Sequence, residues 1–558
     1  MGTHWLADAH HETFWPHFAW PEFAALSKTE KARMPVVLPL HGFADHGLGL
    51  PLDAEEAAGG AVLRRAAEIA CAAGMLLRVL PPLRFGLAPY PSARFGVDAE
   101  TAYGQMREIV LSVKAAGFGK IVFFNTSPWN EELAATVALD TRVEFGLRNY
   151  VVNLSKLGMS FHPGAAREAR ANAQAAAAGA LGLPAGEVRA NVKQSAKAGV
   201  RDEGFRPGNF QQPEALAPDE TLDGAVIVEM AAMQLARALG ENHDWIEWHG
   251  RPARGIAWHG RPAHVIGAAH KCVRTNHGRD ARATQPTWAG RPCHATHATH
   301  AIHPNRGFQH YLPAFTAAEL AAIPNKRRAL VIIPAGAIEQ HGPHLPVGVD
   351  AILGQAWLAH ALPKLPARAA RRVFVAPPIT FGKSNEHDGF PGTITISAKT
   401  LRGVLLALAA ELRAMGFRNI AVLNTHGGNS AVIVCALREI QTSLGMRAGM
   451  IKPDCSGRDA RETKLGIHAG EWETALMLAC APELVRMDKA VCEYPAHPLE
   501  GIAWMTRDIS RSGVMGDARA ATAEKGMLWL EKASAALASA IDLARAPAPS
   551  LTGRDRPR

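Results

Sequence analysis

Short apolar runs and longer amphipathic stretches alternate through the C-terminal half of this chain. Residues 329–338, 372–377 and 420–423 are mostly apolar and end in clusters of Gly, Pro or Asn, a pattern that predicts strands. Residues 401–415 and 431–444 repeat apolar side chains at helical spacing. Strand and helix in alternation predict an α/β unit, a mainly parallel sheet flanked by helices on both faces. In such a sheet, ligands lie in the crevice beyond the carboxyl ends of the strands.

The same pattern occurs earlier in the chain. VVLPLHGFADHGLGLP at 36–51 aligns without gaps to VIIPAGAIEQHGPHLP at 331–346, an offset of 295. PPLRFG at 81–86 answers PPITFG at 377–382, and GFGKIVFFNT at 117–126 answers GFRNIAVLNT at 416–425. His162-Pro-Gly answers His468-Ala-Gly at an offset of 306. Ordered matches with a slowly drifting offset indicate two tandem copies of one unit. The expected organisation is a first domain at 1–243, a linker at 244–307, a second domain at 308–547 and a disordered tail at 548–558.

The linker carries most of the charge. Between His249 and Arg306 there are nine Arg or Lys, nine His and one acid, Asp280, so most of the formal +9 of the chain resides there. It repeats HGRPA and ends in HATHATHAIH, without helical or strand periodicity. Such a tract buries too little apolar surface to order itself, and disorder is expected. With the linker set aside, neither copy is basic enough for a nucleic-acid surface, and no nucleic-acid partner is expected. No stretch reaches the roughly 18 apolar residues of a membrane span, and the N-terminus does not resemble a secretory signal. Seven scattered cysteines without a CxxC pair argue against a disulfide framework and fit a reducing cytoplasm.

Candidate chemistry sits where the second copy's strands end. In EQHGPHLPVGVD, Glu339 and His341 are two positions apart, so an extended segment points both to one side, and Asp350 returns from the following loop. NTHGGN places His426 where the chain turns into a helix. HAGEWETALML places His468 just before a helix that carries Glu471 and Glu473 in its first turns. Carboxylates mixed with imidazoles suit zinc or manganese, with iron(II) a third candidate. Such a set can hold two ions bridged by a carboxylate and a water whose pKa falls toward ~7.

The four motifs EQHGPHLPxxxD, GKSNEHDGFPGTI, NTHGGN and HAGEWET, in this order, resemble the creatininase family over about 230 residues. The resemblance implies an α/β fold, a binuclear zinc or manganese site, and hydrolysis of a C–N bond in a cyclic amide, formamide or small peptide-like substrate. It implies metal ligands at Glu339, His341, Asp350, His426 and Glu473, with Asp350 the bridge. Ser384 and His387 would contact substrate, and His468 would pass a proton to the departing nitrogen. Creatinine hydrolases proper carry His-Tyr-Glu where this chain has His426-Gly427-Gly428. The His-Gly-Gly form is similar to formamide hydrolases, peptide-trimming enzymes and inosose-ring hydrolases of the family.

In the first copy, Glu339 corresponds to Ala44, Asp350 to Glu55, His426 to Ser127 and Glu473 to Arg167, and only His341 keeps an identical partner, His46. That copy is expected to be metal-free, with Arg167 neutralising Glu55, and to serve as a folded partner in an intrachain pseudo-dimer within a homo-oligomer. The competing reading is a non-catalytic scaffold built from two such units.

Overall fold

The computed structural model describes residues 10–87, 93–198, 215–244, 311–453, 457–496 and 503–545. The expected tail, and the expected linker apart from Asp244, lie outside the described residues. Both copies belong to one compact unit.

Each copy is built on a four-stranded parallel sheet. In the first, β1 (Pro35–Leu40) lies between β2 (Arg78–Val79) and β3 (Lys120–Asn125), with β4 (Arg148–Asn153) outermost. In the second, β5 (Leu330–Ala335) lies between β6 (Val373–Val375) and β7 (Asn419–Asn424), with β8 (Arg447–Ile451) outermost. The orders 2-1-3-4 and 6-5-7-8 are the same topology. Every residue of β1, β3, β5 and β7 is buried, as expected of parallel strands covered on both faces. Burying a side chain such as Val331 or Ile333 there contributes roughly 2 kcal/mol.

The first copy's helices include α1 (Ala54–Ala72), α2 (Ala99–Ala115), α3 (Glu131–Phe145), α4 (Arg167–Leu181) and α5 (Gly224–Asp244). Their counterparts are α6 (Val349–Ala361), α7 (Ala398–Ala414), α8 (Ser430–Leu444), α9 (Glu471–Cys480) and α10 (Ala523–Arg545). The chain leaves β5 toward β6 and leaves β7 in the opposite direction. Right-handed crossovers therefore put α6 on one face and α8 on the other. The carboxyl ends of β5 and β7, which are register partners at Ala335 and Asn424, mark the switch point.

Contacts between the copies are reciprocal. The arm before β1 gives its Phe18 and Pro16 carbonyls to the N–H groups of Val347 and Gly348 at 2.9 and 3.0 Å. The arm before β5 gives its Phe315 and Pro313 carbonyls to Leu52 and Asp53, both at 3.1 Å. Helices α2 and α7 meet in the same manner. A Cβ built at Gly104 would lie 3.3 Å from the Thr400 hydroxyl, and one at Gly403 would lie 2.7 Å from that of Thr101. These pairs match position for position across the two copies.

The first copy's arm also braces second-copy loops. Trp15 Nε1 donates to the Gly392 carbonyl at 2.8 Å and Trp20 Nε1 to that of Ser512 at 3.0 Å. Gly392 has φ of +100°, and a Cβ there would sit 2.6 Å from the Phe23 ring, so the position demands glycine on two counts.

Candidate metal centre and cleft

Glu339 and His341 follow β5, and His426 follows β7, so three candidate side chains stem from the two strand ends at the switch point. Asp350 is the second residue of α6, in its first turn, and not part of a loop as expected from the sequence. Glu473 is the third residue of α9, preceded by His468. Asn424 fixes the position of His426 by bonding both main-chain groups, Nδ2 to its carbonyl at 2.8 Å and Oδ1 from its N–H at 3.3 Å. Asn125 makes the same pair of bonds to Ser127, so both copies keep the clamp while the clamped residue differs.

The five side chains meet. His426 Nδ1 lies 3.1 Å from Glu339 Oε2 and 3.4 Å from Asp350 Oδ2. His341 Nε2 lies 3.5 Å from Asp350 Oδ1 and 3.9 Å from Glu473 Oε2. Asp350 thus turns one oxygen to each histidine. Glu339 Oε2, His341 Nε2 and Asp350 Oδ2 are buried without a hydrogen-bond partner. Three of these separations, 3.1–3.5 Å without hydrogen-bond geometry, approach the edges of a coordination shell with bonds of about 2.05 Å, while Glu473 stands farther off at 3.9 Å.

Proton placement points the same way. A backbone carbonyl only accepts, so the ring nitrogen facing it carries the proton. His341 Nδ1 faces the Glu339 carbonyl at 3.0 Å, and His426 Nε2 faces that of Lys383 at 2.9 Å. Each histidine is left with a lone pair aimed into the cluster, the usual outer support of a metal-binding imidazole. The donor set therefore fits divalent cations.

Charge balance agrees. Burial disfavours the ionised Glu339, but His426 and His387 beside it hold its pKa well below the usual carboxylate range. Against burial, the nearby Asp350 raises His341 to about 9, and Glu339 raises His426 well above its ordinary value. Burial, then Glu339, raises Asp350, and burial raises Glu473. Without cations, the cluster takes up protons where positive charge is needed.

The remaining candidates stand around this group. His468 Nε2 faces the Gln340 carbonyl at 2.7 Å, which leaves Nδ1 unprotonated, 3.8 Å from Glu339 Oε1. Burial, then His341 and His387, keep its pKa well below the ordinary value. Ser384 is fully buried behind His426, with its hydroxyl 3.2 Å from Nε2. His387 accepts at Nδ1 from the Gln340 amide at 2.9 Å and points Nε2 at Glu339 Oε1, 3.4 Å away. Both back the cluster, with His387 also forming one edge of the cavity.

Two further residues, neither of them assigned to the site by its motifs, support the cluster. The Gln340 amide, pinned by the Gly342 N–H and the Gly513 carbonyl, orients His387. Glu386 Oε1 lies 3.4 Å from His426 Nε2, and a Cβ at Gly428 would overlap that oxygen. The motif residues flanking each were visible, but the contacts that give them a role are tertiary.

The first copy has lost this arrangement. His46 Nε2 lies 3.0 Å from Glu55 Oε1, and the Gly42 N–H donates to Glu55 Oε2 at 2.7 Å. Arg167 does not neutralise Glu55. It is exposed at the start of α4, and the buried arginine one turn later, Arg170, donates to the His46 carbonyl at 3.1 Å. The turn before α4 is longer than its counterpart before α9, which moves the helix start past the aligned position.

Two open lobes meet at the cluster. One, of about 570 Å³, is lined by Lys383, Glu386, Trp504 and Met505 besides cluster residues. The other, of about 270 Å³, reaches Trp357, Trp472, Lys452 and Arg458. Thr425, His426, Gly427, Ile467, His468 and Glu473 line both.

The doubly wound sheet thus carries, at its switch point, a carboxylate–imidazole cluster of a kind that could hold divalent cations. The sequence model of the creatininase family, described as creatinine amidohydrolase, matches residues 16–201 and 313–541, and the chain belongs to that family. It is 35% identical over 202 residues to the mycofactocin precursor peptide peptidase of Mycolicibacterium smegmatis, covering 35% of this chain and 78% of that protein. It is 32% identical over 237 residues to the creatinine amidohydrolase of Pseudomonas putida, covering 38% and 88%. A solved structure described as creatininase Mn aligns with 26% identity over 42% of this chain and 99% of that one, at a TM-score of 0.37.

Proposed function

We propose that the second copy is a metal-dependent amide hydrolase acting on a linear, peptide-like C–N bond, and that the first copy is its structural partner. The observation that carries the reading is Asp350, whose two oxygens face two different histidine lone pairs. Glu339, Asp350 and His426 would hold one divalent cation, and His341, Asp350 and Glu473 a second, zinc or manganese. Such a pair, when bound, lowers the pKa of a water and polarises a carbonyl oxygen.

The chain's own groups do the rest. His387 and Ser384 act as positioning residues, one orienting Glu339 and the other His426. His468 has a free Nδ1 lone pair and lines both lobes, so it can take a proton from the attacking water and return it to the leaving nitrogen. A cleft with room on both sides of the cluster favours an amide carrying substituents at both ends over a small ring. The likeness to a precursor peptide peptidase supports the same choice.

The first copy's part follows from its contacts. Its arm carbonyls hold Val347 and Gly348, just ahead of Asp350, and its tryptophans hold Gly392 and Ser512. An intrachain pseudo-dimer of this kind supplies what a second subunit would.

The test is elemental analysis of the purified full chain, with hydrolysis of formamides, cyclic amides and short peptides measured after adding zinc or manganese. Two ions per chain and turnover of peptide-like amides are expected. Retention of no divalent ion would overturn the reading and favour a non-catalytic scaffold.

A further inference from the structure

Glu462 lies in the short helix Ala460–Leu465, ahead of His468, and is 1% exposed. A carboxyl group is costly to bury without bonds to hold it. Its Oε1 accepts two, from the Tyr494 hydroxyl at 2.8 Å and from the Asp517 N–H at 2.7 Å. Its main-chain carbonyl takes the Gly466 N–H at 2.9 Å. Next to these two anchor points, His468 and Met515 exchange main-chain bonds at 3.2 and 2.8 Å, forming an antiparallel bridge. One residue thus grips both strands of the bridge on which the imidazole stands. The fit is close. A Cβ at Gly466, Gly470 or Gly516 would come within 2.1, 3.0 or 3.0 Å of the Glu462 carboxylate oxygens. The first copy supplies the contrast. At the offset that pairs His162 with His468, the residue matching Glu462 is Lys156, and both Lys156 and His162 are exposed.

We propose that Glu462 is a positioning residue for His468, acting through the paired segments 466–470 and 515–517 and not by touching substrate. The proposal rests on the hydrolase reading above and extends it to the group that fixes the proton carrier. Two things aim the imidazole. The Gln340 carbonyl at Nε2 sets which nitrogen carries the proton. The grip of Glu462 on the bridge sets where the free Nδ1 lies relative to the leaving nitrogen. Glu339, His341, Asp350 and His426 follow or precede other elements and do not hang on that grip. Loss of Glu462 therefore slows the proton transfer and leaves the cations bound. A displacement of about 1 Å in such a group costs on the order of 100-fold in rate.

The test uses the metal-loaded full chain with short N-acetyl peptides as substrate. Glu462→Ala is expected to lower kcat by roughly tenfold or more while KM stays within about twofold and the bound metal is unchanged. Glu462→Gln keeps the accepting Oε1 and should recover most of the rate. An unchanged kcat in Glu462→Ala, loss of the bound metal together with the rate, or no recovery in Glu462→Gln overturns the proposal. Hydrogen exchange read by mass spectrometry supplies a measure that needs no turnover. In Glu462→Ala, 466–470 and 513–517 should exchange faster while the sheet keeps its protection, and unchanged exchange there overturns the proposal. If Glu462→Ala does not fold, Tyr494→Phe decides: removal of one bond should speed the same local exchange, and no change overturns it. If the wild-type chain hydrolyses no peptide, the hydrolase reading fails, and the exchange measurement still decides the grip of Glu462 on the bridge.

Discussion

Arg84 and Thr380 occupy the same position in the two copies, and they touch: the guanidinium Nη1 lies 3.5 Å from the threonine hydroxyl. Between them runs the local axis about which the arms and helices exchange contacts. Arg84 is fully buried and grips Glu56 with two bonds, at 2.7 and 2.9 Å, whereas the residue aligned with Glu56 in the second copy is Ala351.

Arg84→Thr should therefore be costly. It removes the bidentate cation from a buried carboxylate, a loss of about 3–5 kcal/mol. Arg84→Thr with Glu56→Ala copies the second unit's apolar solution and should recover most of that loss. Urea unfolding of both variants checks this, and additive losses would refute it.

Gly428 and Glu386 are sterically linked. Gly428→Ala should push Glu386 away from His426 and reduce metal affinity about 10- to 100-fold, the usual scale for outer support of a ligand. Glu386→Ala in the same chain should relieve only part of the clash, since that Cβ would also lie 2.5 Å from His426 Nε2 and from the Lys383 carbonyl, and should not restore the lost support. Metal titration of Gly428→Ala, of Glu386→Ala alone and of the double variant separates steric from electrostatic loss.

Cation binding should stabilise the fold. Zinc or manganese at 100 times its Kd adds about 2.7 kcal/mol, visible as a rise in Tm that a chelator reverses. Asp350→Asn should abolish most of that rise, because this side chain faces both histidines. An unchanged metal-induced shift in the variant would place the ions elsewhere.

The two clamped residues give a matched control. His426→Ala should retain the fold by circular dichroism while hydrolysis falls below detection and metal content drops. Ser127→Ala should alter neither stability nor rate, since its buried hydroxyl has no hydrogen-bond partner to lose.

Much of this is legible in the sequence, for identifiable reasons. Strand ends, helix starts and the drifting offset give the duplicated α/β unit, and the residues after β5 and β7 lie where a doubly wound sheet exposes its crevice. The convergence of Glu339, His341, Asp350, His426 and Glu473 follows from that geometry. What lies behind it does not. Ser384 and His387 sit in a motif that reads as a lining loop, and only the packing of Thr395, Gln340 and Thr506 around that loop turns them inward. The displacement of Arg167 reflects a longer turn, which an ungapped comparison cannot register.

Acid sensitivity should have a local origin in the first copy. Burial lowers the pKa of His41 to about 4, with its ring held by the Thr126 hydroxyl at 2.7 Å. A depressed histidine is neutral in the folded state, so its contribution is complete above about 6.5 and is lost as pH falls toward 4. Stability should decline by about 1.4 kcal/mol per pH unit in that window from this residue alone. Denaturant melts between pH 7 and 4 should show one proton fewer taken up on unfolding in His41→Gln.

The exchanged arms carry a consequence for how the polypeptide could be assembled. Every cross-copy bond described above joins residues before Asp244 to residues after His310, so none depends on peptide continuity across the intervening stretch. A protein nicked there, or expressed as two separate polypeptides, should still associate, with each piece completing the other's strand-end loops. The second piece alone would have no complement for its own arm except another copy of itself.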